Sequence, residues 1–196
     1  MFSDVTEIRQ QQERMEHLVH HDPLTDLPNR LEFMDRLSQE VSRTVRHDRM
    51  MEVAYIDLDG FKPVNDDYGH LVGDLALKEV AERLRFAVRK EDLVARLGGD
   101  EFAVIFSDLK SKNHIDRLVS RIIFDLAQAY EDLNGFTVQM SASVGVAICP
   151  DDAVDADSLL KMADDAMYEV KRGDQLGVGY AGMINSKYKM SDQTPQ

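Results

Sequence analysis

Two short runs set carboxylates at the ends of apolar stretches. In Arg96-Leu97-Gly98-Gly99-Asp100-Glu101-Phe102, two glycines and two adjacent acids separate Leu93-Val94-Ala95 from Phe102-Ala103-Val104-Ile105-Phe106. Glycines fit a tight turn that needs positive φ, so this spacing predicts two strands joined by a turn with the acids at its tip. A second acidic tip, Asp57-Leu58-Asp59-Gly60, ends another apolar run. Hard cations such as Mg²⁺ take oxygen ligands, commonly one or two carboxylates plus substrate phosphates. Asp57 and Asp100 are therefore the candidate metal ligands, and the Leu58 carbonyl can complete the protein's share. Two ions about 3.5–4 Å apart would activate an attacking hydroxyl and stabilise a leaving group. A single Asp more often just ends a strand in solvent. Asp57, Asp59, Asp100 and Glu101 together repel one another unless a cation answers them.

Phe61-Lys62-Pro63-Val64-Asn65 and Gly69-His70-Leu71-Val72-Gly73-Asp74 form the second constellation. Lys62 follows the acidic tip and can meet a terminal phosphate. Asn65 and Asp74 offer an amide and a carboxylate. A carboxylate suits the N1–H and N2 amino edge of guanine, and an amide meets O6 or N3; adenine would leave that carboxylate without donors. Gly73 is expected just before a helix, with backbone amides facing a ligand. For Asp74 alone, a helix N-cap is the commoner use of the residue type. His70 reads by type as a structural, hydrogen-bonded side chain.

Helices and strands must hold these groups together. The pattern predicts a turn-rich stretch at Asp22–Arg30 bracketed by Pro23 and Pro28, then a helix from about Arg30 to Val45. A strand over Val53–Ile56, a helix over Gly73–Val88 and the glycine hairpin follow. Ile115–Leu133 reads as a helix, Thr137–Ile148 as a long strand and Asp157–Lys171 as the last helix. A hairpin interrupting the alternation of strand and helix points to an α/β (α+β) fold with a mixed, mainly antiparallel central sheet and surrounding helices. Val5, Ile8, Gln12, Met15 and Val19 recur in steps of three and four. That is the spacing of a coiled-coil seam, and equally of a solvated helix packed on its own domain. The expected organisation is a signalling or linker helix over 1–20, one domain over 21–180 and a polar tail over 181–196.

The chain has 196 residues, 43% of them hydrophobic, enough for one full core. A net charge of −13 excludes general nucleic-acid binding through a basic surface. An anionic small substrate remains compatible, because metals and a few local cations reverse the sign within a pocket. Cys149 is the only cysteine, so no disulfide framework can form. No run is apolar enough to span a bilayer, and the start does not read as a signal peptide. The expectation is a soluble cytoplasmic chain.

The motifs taken together resemble the GGDEF domain of the diguanylate cyclase family. The matching pieces are Asp22-Pro23-Leu24-Thr25-Asp26-Leu27-Pro28-Asn29-Arg30, Asp57-Leu58-Asp59-Gly60-Phe61-Lys62, Asn65-Asp66, Gly69–Asp74 and Arg96–Phe102. Ser143-Val144-Gly145-Val146-Ala147 and Ala163-Asp164-Asp165-Ala166-Met167-Tyr168 also match. The resemblance implies a palm-like nucleotidyl cyclase architecture that condenses two GTP into cyclic di-GMP and releases two pyrophosphates. It also implies a homodimer, because each domain holds one GTP. Carried over, Asp57, Leu58, Asp100 and Glu101 would bind Mg²⁺ or Mn²⁺, two ions per site. Asp100 would help deprotonate the attacking hydroxyl, with Glu101 and Lys62 supporting the chemistry. Asn65 and Asp74 would read guanine. Phe61, Lys62, His70, Gly98, Gly99 and Lys171 would line the nucleotide. Arg89 and Asp92 fit an Arg-x-x-Asp inhibitory site for the product, where the bland alternative is a charged helix end. Lys171-Arg172-Gly173-Asp174-Gln175 departs from the family's Lys, two residues, Gly, Arg-Asn, which puts triphosphate contacts there in question. Asp26 stands for the usual Gly of the early turn. Asp4–Arg9 resembles the exit of a PAS sensor domain upstream. The alternative to the enzyme is a catalytically weak domain that binds GTP or cyclic di-GMP.

Overall fold

Alternation along one strand divides the core in two. In β1 (Met51–Asp59), Met51, Val53 and Tyr55 enter one apolar cluster, while Ala54, Ile56 and Leu58 enter another. Period two sends successive side chains to opposite faces, so a strand buried on both faces reads as a continuous apolar run. The computed structural model describes residues 15, 17–109, 112–173 and 177–182. The seam positions Val5, Ile8 and Gln12, the Asp4–Arg9 stretch, Asp174, Gln175 and residues 183–196 lie outside the described residues.

Five strands form the main sheet in the order β2 (Leu93–Gly98), β3 (Glu101–Phe106), β1, β6 (Ser141–Cys149) and β7 (Val178–Tyr180). Every pairing is antiparallel except β6 with β7. Helices α1 (Arg30–Arg46) and α5 (Ala156–Arg172) cover one face through Phe33, Leu37, Val41, Leu159, Leu160, Ala163 and Met167. Helices α3 (His70–Ala87) and α4 (Lys112–Leu126) cover the other through Val72, Leu77, Val80, Leu84, Val119, Ile122 and Leu126. Each fully buried side chain of this size contributes about 1.5–3 kcal/mol. The result is the expected mixed, mainly antiparallel sheet between helices.

Several elements differ from the sequence reading. Phe61–Tyr68 is a separate helix, α2. Pro63 is its third residue, where the missing N–H would have had no intrahelical partner. The helix expected from Gly73 starts at His70, capped by Gly69 at φ 83°. The helix expected over Ile115–Leu133 stops at Leu126, and Tyr130–Leu133 is strand β4, paired with β5 (Phe136–Val138). Asn134 and Gly135, both at positive φ, make the turn of that hairpin. The long strand expected over Thr137–Ile148 is accordingly two strands. Between them, Gln139 turns its amide to the Ala127 carbonyl at 2.6 Å.

Candidate active site

The acidic tip is built by register. Asp57 pairs across β1–β3 with Glu101 and across β1–β6 with Ser143. Directly opposed residues share a face, so Asp57 and Glu101 both face the side covered by α1 and α5. Gly98 at φ 145° and Gly99 at φ 55° make the turn that carries Asp100. The Leu58 N–H donates to the Asp100 carbonyl at 3.3 Å and ties the two strand ends together. Arg96 braces the turn from behind: its Nε and Nη2 donate to the Gly99 carbonyl at 3.0 and 2.8 Å. Its Nη1 donates to Asp22 at 2.9 Å. Thr25 and Arg96 hold the Asp22 carboxyl below its ordinary value, against the effect of burial.

Charge at the tip is compensated from α5. Lys171 Nζ lies 2.5 Å from Asp57 Oδ1. Burial pushes the Asp57 carboxyl above its ordinary value, with Asp100 and Asp59 adding to the rise, although Lys171 pulls the other way. Burial disfavours the Lys171 charge, yet Asp57, Asp59 and Asp100 hold its ammonium above its ordinary value. Asp59 is turned aside: its carboxylate accepts from Ser143 Oγ at 2.9 and 3.1 Å and from Ser141 Oγ at 3.4 Å.

A glycine sets the reach of Lys171. A Cβ on Gly145 would lie 2.0 Å from the Ala163 carbonyl oxygen and 2.2 Å from the Met167 nitrogen. The bare backbone lets α5 lie against β6, and Lys171 follows one turn after Met167. Arg172, within the stretch that departs from the family's pattern, is engaged with Glu169 at 3.8 Å and the Tyr168 ring at 5.9 Å.

The expected base-reading pair, Asn65 and Asp74, sits on the next two helices. Asn65, half-buried on α2, lies so close to Gly73 that a Cβ there would stand 2.0 Å from its Oδ1. Asp74 is the adjacent residue and is exposed. Two expectations are corrected here. Gly69, not Asp74, caps α3, so the N-cap reading of Asp74 fails. Gly73 lies inside the helix, and its N–H already donates to the Gly69 carbonyl at 3.3 Å. Lys62 is exposed in the first turn of α2, Phe61 packs partly into the core beside it, and His70 is exposed at the start of α3.

Arg89 and Asp92 stand apart from this group. Asp92 Oδ2 accepts from the Arg89 N–H at 3.0 Å, and Oδ1 from the Ser107 N–H at 3.2 Å. Ser107 follows the far end of β3, so the pair lies about 20 Å along the strand from the tip, at ~3.4 Å per residue. Burial raises the Asp92 carboxyl above its ordinary value, against those two backbone bonds.

The donor set fits a hard divalent cation. Among the described residues no three of His, Cys, Asp and Glu converge on one point. Asp57 and Asp100 with the Leu58 carbonyl remain at the strand ends, and Glu101 stands beside them. That is the protein share such an ion takes when phosphate and water complete its shell. The lysine drawn to Asp57 marks the place where positive charge is favoured.

Sequence reasoning gave no role to Arg96, Ser141 or Ser143. Arg96 and Ser143 lay inside recognised motifs.

Residues 19–175 match the family described as "Diguanylate cyclase, GGDEF domain". The chain is 45% identical over 163 residues to the bifunctional diguanylate cyclase/cyclic di-GMP phosphodiesterase MucR of Pseudomonas aeruginosa. That match covers 83% of this chain and 23% of the relative. It is 43% identical over 156 residues to the diguanylate cyclase TpbB of the same species, covering 80% of this chain and 36% of that one. The chain thus spans about a quarter to a third of the length of these curated relatives. Among solved structures, a P. aeruginosa PA1120 (TpbB or YfiN) variant comprising only the GGDEF domain superposes with a TM-score of 0.80 at 41% identity. The superposition covers 83% of this chain and 94% of that one. No helix among the described residues is long and apolar enough to cross a membrane.

Proposed function

The chain belongs to the GGDEF diguanylate cyclase family, and from that premise we propose that its domain over residues 21–180 condenses two GTP into cyclic di-GMP. The 3′-hydroxyl oxygen of one GTP attacks the α-phosphorus of the other. A P–O bond forms, the bond to pyrophosphate breaks, and a second, reciprocal step closes the ring. Asp100 takes the proton from the attacking hydroxyl. Asn65 and Asp74 hold the guanine edge, with Phe61, His70, Gly98 and Gly99 around the nucleotide. Lys62 and Lys171 meet phosphate oxygens, Lys171 leaving Asp57 to do so. Mg²⁺ or Mn²⁺, two ions per site, held by Asp57, the Leu58 carbonyl, Asp100 and Glu101, would neutralise charge on the reacting phosphates.

The observation that carries this reading is the shared strand end. Asp57 and Glu101 are opposed in register, and the chain runs from Asp59 through Gly60 directly into α2, which bears Lys62 and Asn65. Phosphate chemistry and base recognition therefore meet at one edge of the sheet. Because one domain presents one such edge, the active form is a homodimer with two edges facing. Arg89 and Asp92, a strand's length away, form the product-binding site that holds two copies apart. Residues 1–20 serve as the linker through which an upstream sensor sets that arrangement.

The second reading is a nucleotide-binding domain with weak turnover. Arg172 engaged on the outer side of α5 favours it, because one triphosphate contact is then missing. Incubation with GTP and Mg²⁺ separates the two. Cyclic di-GMP with pyrophosphate supports the cyclase; tight binding of cyclic di-GMP without turnover supports the binding module.

A further inference from the structure

Two aspartates of β1 offer the same chemistry to one face of the sheet, and their partners tell them apart. Asp57 and Asp59 are two positions apart in the strand, so both side chains point to the side covered by α1 and α5, about 7 Å from one another along the chain. Across the β1–β6 ladder Asp57 is opposed by Ser143 and Asp59 by Ser141, which puts both serines on that same face. Ser143 is 3% exposed. Its hydroxyl donates along the diagonal to Asp59, 2.9 Å from Oδ2 and 3.1 Å from Oδ1. Ser141 Oγ lies 3.4 Å from the same Oδ2. Asp57 receives Lys171 instead.

Chemistry gives this division a consequence. A serine hydroxyl carries one hydrogen, so Ser143 in donating to Asp59 has none left for its direct neighbour Asp57. A neutral donor satisfies a carboxylate without cancelling its charge. An ammonium on a flexible stem cancels the charge and can give way to another cation. Asp57 thus keeps its oxygens for cations, while Asp59 is held toward β6 by groups that a metal ion does not replace. Without the serines, the Asp59 carboxylate would be free to turn toward Asp57 and to compete for Lys171.

We propose that Ser143, with Ser141 beside it, is a positioning residue that turns the Asp59 carboxylate away from the metal edge and so selects Asp57 as the ligand. The role deepens the cyclase reading and rests on it for what that edge binds. It keeps one more negative charge of the tip away from the triphosphate, which that charge would repel.

Ser143→Ala removes one oxygen and leaves Asp59 without its closer donor. The probe is Mn²⁺ alone, titrated into the nucleotide-free chain and read by electron paramagnetic resonance of the unbound ion. Affinity is expected to rise at least about threefold, because a released carboxylate adds an anionic oxygen to the edge. The KM for GTP at saturating Mg²⁺ should also rise at least about threefold, because the same charge opposes the triphosphate and holds Lys171. Both changes should be absent when Asp59 is already Ala. Damage to packing would weaken Mn²⁺ and GTP together, so tighter metal with looser nucleotide is the signature of a released Asp59. Unchanged or weaker Mn²⁺ binding in Ser143→Ala overturns the proposal, and so does an equal gain in the Asp59→Ala background. Urea unfolding without metal or nucleotide tests the contact itself: the midpoint shift caused by Ser143→Ala should vanish when Asp59 is Ala. An equal shift in both backgrounds overturns the contact. A wild type that makes no cyclic di-GMP overturns the cyclase reading instead, and the Mn²⁺ and urea cycles still decide whether Ser143 holds Asp59 back.

Discussion

At the scale of single residues, two buried carboxyls on β1 behave oppositely. Asp57 has Lys171 as partner and sits where phosphate chemistry is proposed. Glu52 is fully buried on the other face, and neither of its oxygens has a hydrogen-bond partner. Asp57→Asn keeps the shape of the side chain and halves its ligand capacity, so cyclic di-GMP formation should fall more than ~100-fold. Circular dichroism should show the fold intact. Glu52 gives a pH prediction. Burial, and to a lesser degree Asp116, hold its carboxyl well above the ordinary value. A raised folded value means that its stability contribution is intact below the unfolded value of about 4.3 and is lost as pH rises through the folded one. Glu52→Gln cannot ionise. Its melting temperature should match the wild type near pH 4 and exceed it increasingly toward pH 8. Equal differences at both pH values would contradict the assignment. Of these residues, the sequence disclosed Asp57 by its place at the end of an apolar run. Glu52 was hidden within the same run, because a strand covered on both faces carries no polar alternation to mark it.

At the scale of elements, what places Lys171 is the contact of α5 with β6. Gly145→Ala puts a Cβ about where the Ala163 carbonyl oxygen stands. Relief requires α5 to move outward, which should cost about 1–3 kcal/mol in urea unfolding. The same shift draws Lys171 from the strand end and should raise the KM for GTP. An unchanged KM in a destabilised protein would separate the packing from the site. Helices α1, α3 and α5 were legible because their apolar residues recur every three or four positions over long segments. Helix α2 was not, since eight residues with a proline and several polar side chains show no such face. Only the left-handed Gly60 before it signals the start. The β4–β5 hairpin did carry a signal in Asn134-Gly135, but the preceding helical period masked it. The proposed guanine pair, Asn65 and Asp74, was picked out by residue type. The role of Gly73 was not, because it depends on how closely α2 packs on α3.

At the scale of the whole molecule, one sheet edge per domain makes the proposed reaction bimolecular in protein. Specific activity should rise with protein concentration until the dimer saturates; a constant value at concentrations where sedimentation shows monomer would contradict the facing-domain arrangement. Distance separates the Arg89–Asp92 pair from the tip by about a strand's length, so the proposed feedback there would act on the approach of two copies rather than on GTP binding. Arg89→Ala should lose inhibition by added cyclic di-GMP and keep its KM for GTP. The central claim is that the opposed acids of β1 and β3 and the Asn65–Asp74 pair form one guanine-specific phosphoryl-transfer site. The most direct test supplies equal GTP and ATP with Mg²⁺ and counts products. The account predicts cyclic di-GMP alone, with two pyrophosphates released for each molecule formed and none from Asp57→Asn. Cyclic GMP with one pyrophosphate, adenine-containing product, or full turnover by Asp57→Asn would contradict it.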